Sequence, residues 1–329
     1  MKHYTLNTGA LIPSIGLGCW MGVPGQQGEA YEMVKAGVAT GYRHFDTANG
    51  YGNEEAVGRA LRESGLERGE YFVTTKLNNM DHGRVREAFE DSLAALGVEY
   101  IDLYLMHWPI ATPSAPQSAS FAAPSQPIGP TESPTFSETW TEMEKLLEGG
   151  KVKAIGVSNF SIKNLDTLLQ TAKVVPAVNQ CEAHPYLPNS ALQAYCKEKG
   201  VHTTAYSPIG QGASSPLLSE PLVVSLASKY GKTAGQVLLS WGVGRGWSVV
   251  PKSSNAERMK GNLEVFELET EDAEALDALH KEEGKYRSLC DFGALPSDPP
   301  GVLMGWRIKE DLGWDYEITV REASWKTRI

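Results

Sequence analysis

Two hydrophobic patterns alternate along most of the chain. Short runs rich in β-branched and aliphatic residues predict strands, whereas apolar residues spaced three and four positions apart predict helices. One such helical segment has apolar side chains at Val85, Phe89, Leu93 and Leu96. Strands that alternate with helices pair in parallel through right-handed crossovers, so this order predicts an α/β fold. The predicted strands are Ile15–Gly18, Arg43–Phe45, Phe72–Thr75, Ile101–Met106, Ala154–Val157, Ala177–Asn179, Val201–Ala205 and Ser248–Val250.

The alternation fits either an open doubly wound sheet or a closed (β/α)8 TIM barrel. Open sheets that bind dinucleotides carry the fingerprint G-x-G-x-x-G. The chain lacks it, because Gly242-Val-Gly-Arg-Gly246 is followed by Trp247. Eight regular strand–helix units favour the closed barrel. Ahead of them, Tyr4–Leu6 and Leu11–Ile12 flank the turn Asn7-Thr-Gly9 and predict an N-terminal β-hairpin.

Two segments account for the length of the chain. A TIM barrel needs about 250 residues, and the chain has 329. The excess falls in an insertion loop over residues 110–134 and in a C-terminal tail over residues 281–329, neither of which has a helical or strand period. We therefore predict a single barrel domain over residues 1–329, with long βα loops and an irregular tail that covers the barrel mouth.

Charge and cysteine content argue against several classes of protein. The chain carries 30 basic and 40 acidic residues, a formal charge of −10, which argues against a nucleic acid or a membrane surface as partner. No run approaches the ~18 apolar residues of a membrane span. The first residues lack the apolar core of a secretory signal, so we expect a cytoplasmic protein. The 4 cysteines form no CxxC pair, and no metal site is predicted.

Polar and aromatic residues follow nearly every predicted strand. In a (β/α)8 barrel these positions meet at the carboxyl end, where active sites are built. In chain order they are Trp20, Asp46, Lys76, His107, Ser158, Asn159, Gln180, Glu182, His184, Tyr206, Ser207, Lys252 and Ser253. So many chemically useful side chains at one rim indicate a functional site.

Four residues of this rim suggest proton transfer. Asp46, Lys76 and His107 follow three consecutive strands, and Tyr51 stands five positions after Asp46. A phenol has a pKa of about 10, a nearby ammonium group lowers that pKa, and a carboxylate keeps the ammonium charged. We expect Tyr51 to donate a proton, with His107 orienting a carbonyl or sharing the proton. The alternatives are an ion pair that only braces the barrel and a core histidine.

These residues lie in motifs that resemble those of the aldo-keto reductase family over nearly the whole chain. The matching segments are Asp46-Thr-Ala-Asn-Gly-Tyr-Gly-Asn53, Thr75-Lys76-Leu77, Leu105-Met-His-Trp-Pro109, Gly150-Lys-Val-Lys-Ala-Ile-Gly-Val-Ser-Asn-Phe160, Asn179-Gln-Cys-Glu-Ala-His-Pro-Tyr186 and Val250-Pro-Lys-Ser253 with Arg258. The resemblance implies that Tyr51 is the general acid, that Lys76 and Asp46 tune it, and that His107 orients the carbonyl.

The resemblance also implies a nicotinamide cofactor that lies extended across the barrel mouth. By this resemblance its nicotinamide and pyrophosphate would be held by Ser158, Asn159, Gln180, Tyr206, Ser207 and the loop Pro208-Ile-Gly210. The first three would bind the carboxamide, and Tyr206 would stack on the ring. Ser207 and the loop after it would fold over the pyrophosphate.

A group of cations indicates which nicotinamide cofactor binds. Lys252, Ser253 and Arg258 gather where the Ser254…Glu257 capping-box pattern predicts a helix start. Backbone N–H groups, the helix dipole and fixed cations all favour a phosphate at such a place. We therefore expect NADPH to be preferred, since it carries the adenosine 2′-phosphate. The alternative is that the two cations are ordinary surface residues.

The residues around this helix start indicate that NADH could serve as a secondary cofactor. Relatives that use both cofactors vary at the positions of Ser254 and Asn255, which we include in the cofactor site. Asn255 and Asn262 are expected to contact the adenine end. An N-cap of the helix is the alternative role for Asn255.

Substrate-binding residues are expected at the same rim. Trp20, His107 and Trp108 would form an aromatic wall beside a polar floor, and Cys290 and Phe292 fall where relatives place specificity residues. We expect NADP(H)-dependent reduction of a small polar aldehyde or ketone, such as an aldose or glyceraldehyde, by a monomer or weak homodimer. The alternatives are a glycerol-type alcohol dehydrogenase working in the oxidative direction and an NADPH-binding regulatory subunit with little turnover.

Overall fold

Eight parallel strands form one sheet in the order in which they occur in the sequence. The computed structural model describes residues 2–113, 127–212, 214–290, 299–316 and 318. The sheet consists of β3 (Leu17–Gly18), β4 (His44–Asp46), β5 (Phe72–Leu77), β6 (Ile101–Met106), β7 (Val152–Ser158), β8 (Val178–Glu182), β9 (His202–Tyr206) and β10 (Ser248–Val250). Val249 closes the sheet, because its N–H donates to Ser14 O at 2.9 Å and its carbonyl accepts from Gly16 N at 2.8 Å. The predicted α/β barrel is confirmed.

Helices surround this sheet with their apolar faces turned inward. Within the described residues they are α1 (Gln27–Thr40), α2 (Glu54–Arg62), α3 (Val85–Leu96), α4 (Phe136–Leu146), α5 (Ile162–Leu169), α6 (Ser190–Glu198), α7 (Pro221–Tyr230), α8 (Ala234–Gly244), α9 (Ala256–Asn262) and α10 (Thr270–Ala278). Helix α3 buries Val85, Phe89 and Leu96, as its period predicts. In this part of the chain no helix is long and apolar enough to cross a bilayer.

The predicted capping box at Ser254 is wrong. Helix α9 begins at Ala256, and its N-cap is Asn255, whose side-chain oxygen accepts a hydrogen bond from Arg258 N at 2.9 Å. Ser253 organises the turn before it, because its hydroxyl accepts from Asn255 N at 3.2 Å. Serine and asparagine are equally good N-caps, so the sequence pattern did not distinguish adjacent positions.

The N-terminal hairpin closes the amino end of the barrel. Strand β1 (His3–Thr5) pairs in antiparallel fashion with β2 (Leu11–Pro13), so the predicted hairpin is confirmed. Leu6 and Ile12 are buried in an apolar cluster with the inward side chains of the barrel, among them Leu103. Fully burying each such side chain stabilises the fold by about 1.5–3 kcal/mol. The opposite, carboxyl end is therefore the open one.

The tail contains one short hairpin that its sequence did not predict. Strand β11 (Val302–Leu303) pairs with β12 (Trp306–Arg307) across a turn in which Met304 and Gly305 both have positive φ. This turn geometry suits the twist of a hairpin, but strands of two residues are too short to show a period. Trp306 is buried and donates to Ile128 O at 2.9 Å, so the hairpin packs on the end of the 110–134 loop. Residues 114–126 of that loop lie outside the described residues.

Candidate active site

A buried ion pair lies at the centre of the carboxyl end. Lys76 and Asp46 lie on the neighbouring strands β5 and β4. Lys76 Nζ donates to Asp46 Oδ1 at 2.6 Å and to Thr47 O at 2.9 Å. The lysine is 0% exposed and the aspartate 3% exposed. A buried ammonium group of this kind persists only because a carboxylate and further acceptors compensate its charge.

A cluster of three aromatic rings lies next to this pair. Tyr51 ends the short helical turn Asn49–Tyr51 that follows β4, and its ring centroid lies 5.1 Å from Lys76 Nζ. The Tyr51 ring is 5.0 Å from the ring of Trp20 and 5.7 Å from that of His107, which it meets edge-on. The structure thus brings together the four residues predicted for proton transfer and Trp20, which was predicted to bind substrate.

The electrostatics of these groups differ from the prediction in one respect. Burial by itself would lower the pKa of Lys76, but Asp46 and Tyr51 raise it above its usual value. Burial, together with the charge of Asp46, raises the pKa of Tyr51 above its usual value although Lys76 lowers it, so the expected net lowering is wrong. Burial and the charge of Lys76 hold the pKa of His107 well below its usual range. At neutral pH Tyr51 is therefore a protonated phenol and His107 a neutral imidazole.

The next strands add amide and hydroxyl groups to the same site. Gln180 Nε2 donates to Asp46 Oδ2 at 2.6 Å, so both oxygens of this carboxylate have partners. Ser158 Oγ donates to Gln180 O at 2.8 Å. Asn159, which has a positive φ of 64°, donates to His107 O at 3.0 Å and accepts from the Tyr206 hydroxyl at 2.8 Å. The predicted carboxamide-binding residues are therefore hydrogen-bonded to one another and to Asp46 and His107 of the proton-transfer group.

A tight turn follows β9. Ser207 has a positive φ of 47°, and its carbonyl accepts from Gly210 N at 2.8 Å, which closes the turn Pro208-Ile-Gly210. A Cβ added at Gly210, where φ is 75°, would lie 2.1 Å from the hydroxyl oxygen of Ser215. Only glycine fits this position, because both the conformation and the space exclude a side chain. The chain therefore turns tightly here, with Pro208 and Gly210 buried and Ser207 and Ile209 partly exposed.

The predicted phosphate site lies at the start of α9. Lys252, Ser254 and Arg258 are exposed, whereas Ser253 is buried. Among the described residues, neither Lys252 nor Arg258 forms an ion pair, so both charges face solvent. Asn262 ends α9 and lies beside the phenol of Tyr42. The structure thus leaves two uncompensated positive charges at one edge of the barrel mouth.

Of the other predicted substrate residues, the structure describes Trp108 and Cys290. Trp108 directly follows His107 and is 4% exposed. Cys290 is buried, and its thiol donates to Ser207 Oγ at 3.1 Å, so it lies at the cofactor turn. Phe292 lies outside the described residues. Within them, no group of three or more potential ligands could hold a metal ion.

Sequence reasoning missed one buried carboxyl group of the site. Glu54 begins α2 and is 5% exposed. It accepts hydrogen bonds from Thr75 Oγ1 at 2.5 Å and from Asn49 Nδ2 at 3.3 Å. These contacts join the turn that carries Tyr51 to the strand that carries Lys76. An acidic residue in a first helical turn resembles an ordinary helix start, so only its burial reveals this contact.

Taken together, the geometry suits protonation of a carbonyl oxygen. A neutral phenol and a neutral imidazole lie side by side next to a buried ammonium group, and the ring of Trp20 packs against the phenol. A carbonyl oxygen in contact with both would accept one hydrogen bond from each. Such polarisation prepares the carbonyl carbon to receive a hydride.

Comparisons with known proteins agree with this chemistry. Residues 14–281 match the family model described as "Aldo/keto reductase family". The chain is 45% identical over 294 residues to glycerol 2-dehydrogenase (NADP(+)) of Saccharomyces cerevisiae, covering 87% of this chain and 93% of that protein. It is 43% identical over 300 residues to an aldehyde reductase of the same yeast, covering 88% and 95%. A crystal structure of an aldo/keto reductase from Brucella melitensis superimposes with a TM-score of 0.73 at 37% identity, covering 84% of this chain and 99% of that one.

Proposed function

Because the chain belongs to the aldo/keto reductase family, we propose that it is an NADP(H)-dependent oxidoreductase that reduces a small polar aldehyde or ketone to the alcohol. The observation that carries this proposal is the buried Lys76–Asp46 pair below Tyr51 and beside His107. An ion pair that only braced the barrel would need neither the phenol nor the imidazole at its open side.

The residues of the barrel mouth fit a nicotinamide cofactor. Ser158, Asn159 and Gln180 present amide and hydroxyl groups beside Asp46, which suits a carboxamide. The tight turn from Ser207 to Gly210, in which Ser207 stays partly exposed, suits a pyrophosphate. When bound, the cofactor supplies the hydride for the carbonyl carbon. We include Tyr206 in this site as the residue that packs on the nicotinamide ring.

Lys252 and Arg258 are proposed to bind the adenosine 2′-phosphate. Their charges have no acidic partner among the described residues, and Ser253 adds a hydroxyl group. Charge-assisted contacts to a phosphate are about twice as strong as neutral hydrogen bonds, so NADPH should bind more tightly than NADH. Ser254, Asn255 and Asn262 complete the adenosine end, although the side chain of Asn255 already caps α9. NADH is then a secondary cofactor.

Each residue of the proton-transfer group has a distinct task in this proposal. Tyr51 donates its proton to the carbonyl oxygen, and Lys76 stabilises the phenolate that this leaves. Asp46 keeps Lys76 charged and in place. His107, which is neutral, orients the carbonyl by a hydrogen bond, and Trp20 and Trp108 pack against the substrate. Since the pKa of Tyr51 is raised, reduction should proceed across neutral pH, whereas oxidation of the alcohol should require alkaline pH.

Replacing Tyr51 with phenylalanine tests the assignment of the general acid. We expect Tyr51→Phe to lower kcat for NADPH-dependent reduction of glyceraldehyde by about 10²–10⁴-fold, because the proton donor is lost. The matched control is Tyr4→Phe, which removes a phenol oxygen at the opposite end of the barrel, where it donates to Val243 O. The control should keep the wild-type rate. Full activity in Tyr51→Phe would show that another group protonates the carbonyl.

A second candidate is oxidation of an alcohol. It is favoured by two relatives that are named glycerol 2-dehydrogenase (NADP(+)). Initial rates with glycerol and NADP⁺, compared with those for glyceraldehyde or dihydroxyacetone and NADPH, decide the preferred direction. A cofactor-binding regulatory subunit would show little turnover in either assay.

We also propose a monomer or weak homodimer in the cytoplasm, without nucleic-acid or membrane partners. The formal charge of −10 supports the absence of nucleic-acid and membrane partners, since it opposes binding to polyanions. Light scattering during gel filtration, over a range of protein concentrations, measures the oligomeric state. A mass that stays at twice that of the chain on dilution would contradict this proposal.

A further inference from the structure

A second buried carboxylate lies at the barrel mouth, apart from the proton-transfer group. Glu182 ends β8 and is 2% exposed. Its Oε1 accepts from His184 Nε2 at 2.8 Å and from Leu289 N at 2.6 Å, and its Oε2 accepts from Ser288 Oγ at 2.5 Å. Burial alone would raise the pKa of Glu182, but these hydrogen bonds lower it below its usual value. The buried group is therefore an ionised carboxylate.

His184 fixes the orientation of this carboxylate. Leu187 N donates to His184 Nδ1 at 3.1 Å, so Nδ1 is an acceptor and carries no proton. The proton of the neutral ring is then on Nε2, which donates it to Glu182. The side-chain amide of Asn189 holds the same strand end, since it donates to Glu182 O at 2.7 Å. Among the described residues, the other donors to this carboxylate are Ser288 and Leu289, both in the segment of residues 288–290.

This segment continues the chain of hydrogen bonds to the predicted cofactor turn. Ser288 Oγ accepts from Cys290 N at 3.1 Å, and the thiol of Cys290 donates to Ser207 Oγ at 3.1 Å. Leu289 packs beside Gly210, where a Cβ on the glycine would lie 3.2 Å from Leu289 Cδ1. Both ends of the turn from Ser207 to Gly210 therefore contact residues that Glu182 holds.

The conformation of Ser207 requires such support. Its φ of 47° lies in the left-handed region, which is uncommon for a residue other than glycine. Residues keep such conformations only where the surrounding structure holds them, and they are concentrated in ligand-binding sites. Within the described part of the chain, contacts from the Cys290 thiol and from Gly210 N hold it here.

From this connection we propose that Glu182 is a positioning residue, which holds residues 288–290 and thereby keeps Ser207 in the conformation that binds the cofactor pyrophosphate. The inference rests on the proposed function, because it assumes that the turn binds NADPH. Glu182 touches neither the substrate nor the cofactor in this scheme. Its replacement should weaken NADPH binding without abolishing proton transfer.

The test measures NADPH binding directly, by the quenching of tryptophan fluorescence, in three variants. In Glu182→Gln the amide nitrogen would face N–H or O–H donors, so we expect the Kd for NADPH to rise about 10-fold. Ser288→Ala breaks the same chain at one hydroxyl and should raise the Kd several-fold, whereas Ser288→Thr keeps the hydroxyl and should bind like the wild type. The KM for glyceraldehyde should change less than the Kd for NADPH in every variant.

A matched control separates positioning from general destabilisation. Asp102→Asn also removes a hydrogen-bonded carboxylate, but the half-buried Asp102 lies near the start of β6 at the opposite end of the barrel, where it pairs with Arg68. We expect this control to lower Tm and to leave the Kd for NADPH unchanged. Alkylation of Cys290 by N-ethylmaleimide, followed by peptide mass spectrometry without cofactor, should be faster in Glu182→Gln and Ser288→Ala than in the control.

The possible results distinguish the two proposals. If wild-type protein binds NADPH and both Glu182→Gln and Ser288→Ala bind it equally well, the positioning role is wrong and the proposed function stands. If wild-type protein gives no binding signal, the proposed function fails, and the positioning role fails with it. If the Kd for NADPH rises in Glu182→Gln and Ser288→Ala but not in Ser288→Thr, the result supports the positioning role.

Discussion

The two ends of the barrel bury polar groups in opposite ways. At the amino end, His44 and Thr74 are hydrogen-bonded at 3.0 Å, and so are His202 and Ser248, and the apolar hairpin covers them. At the carboxyl end, only two residues further along β4, Asp46 pairs with a buried lysine. The two histidines stay neutral, which lowers the penalty of burial, and the ion pair at this end, Arg68–Asp102, remains partly exposed. The carboxyl end retains charges in the same interior, and charge retained at such a penalty indicates function there.

The largest expected effect comes from removing one charge of the carboxyl end. Lys76→Met leaves Asp46 buried without its cation, so we expect a loss of about 3–5 kcal/mol in the free energy of unfolding. The reductase rate should fall about 10³-fold, since no ammonium group remains to stabilise the phenolate of Tyr51. Urea unfolding and steady-state kinetics with NADPH measure the two quantities.

The double variant Asp46→Asn with Lys76→Met serves as its control. It removes both charges, so it should regain most of the lost stability but none of the lost activity. If the double variant recovered activity, the pair would be a structural brace and its functional role would be refuted.

The second prediction concerns acid stability and the neutral amino end. Burial lowers the pKa of His44 and of His202 to about 4 from an ordinary value of 6.5. Between these two values the unfolded chain binds protons that the folded barrel excludes. The contribution of each histidine to the free energy of unfolding should therefore be fully present above pH 6.5. It should be lost as the pH drops towards 4, by roughly 3 kcal/mol for each histidine.

Urea unfolding between pH 7 and pH 5 measures this loss. The variant His44→Gln with His202→Gln should be less stable at pH 7 but should lose less stability on acidification. The exposed His3 provides the control, because His3→Gln should leave the pH dependence unchanged. An unchanged slope in the double variant would mean that other groups cause the acid sensitivity.

The sequence predicts which residues meet at the carboxyl end better than it predicts their pKa values. Asp46, Lys76 and His107 each stand at or beside the end of a strand, and the parallel register brings them together, so their proximity follows from the order of elements. The net pKa of Tyr51 does not follow, because it depends on how far burial outweighs the charge of Lys76. Sequence spacing contains no measure of burial.

Contacts between distant segments were equally hard to predict. Glu182 stands at a predicted strand end, but its partner Ser288 is 106 positions away in an irregular segment. The turn at Met304 and Gly305 uses positive φ at a methionine, which no residue preference indicates. The N-cap at Asn255, which the sequence offered as an alternative role for this residue, lies one position after the predicted capping box at Ser254, and the two residue types cap equally well. In each case tertiary contacts decided between alternatives that are locally equivalent.

The smallest expected effect concerns the exposed cations at the rim of the carboxyl end, and it tests whether they select the cofactor. Arg258 faces solvent, so its contact with the 2′-phosphate of NADPH is screened and should be weaker than a buried pair. We expect Arg258→Ala to raise the Kd for NADPH about 10-fold and to leave that for NADH unchanged, as measured by fluorescence titration at two salt concentrations. Lys260→Ala removes another exposed cation of α9 and should affect neither Kd. Equal losses for NADPH and NADH in Arg258→Ala would place this arginine away from the 2′-phosphate, and the rim charge would then not select the cofactor.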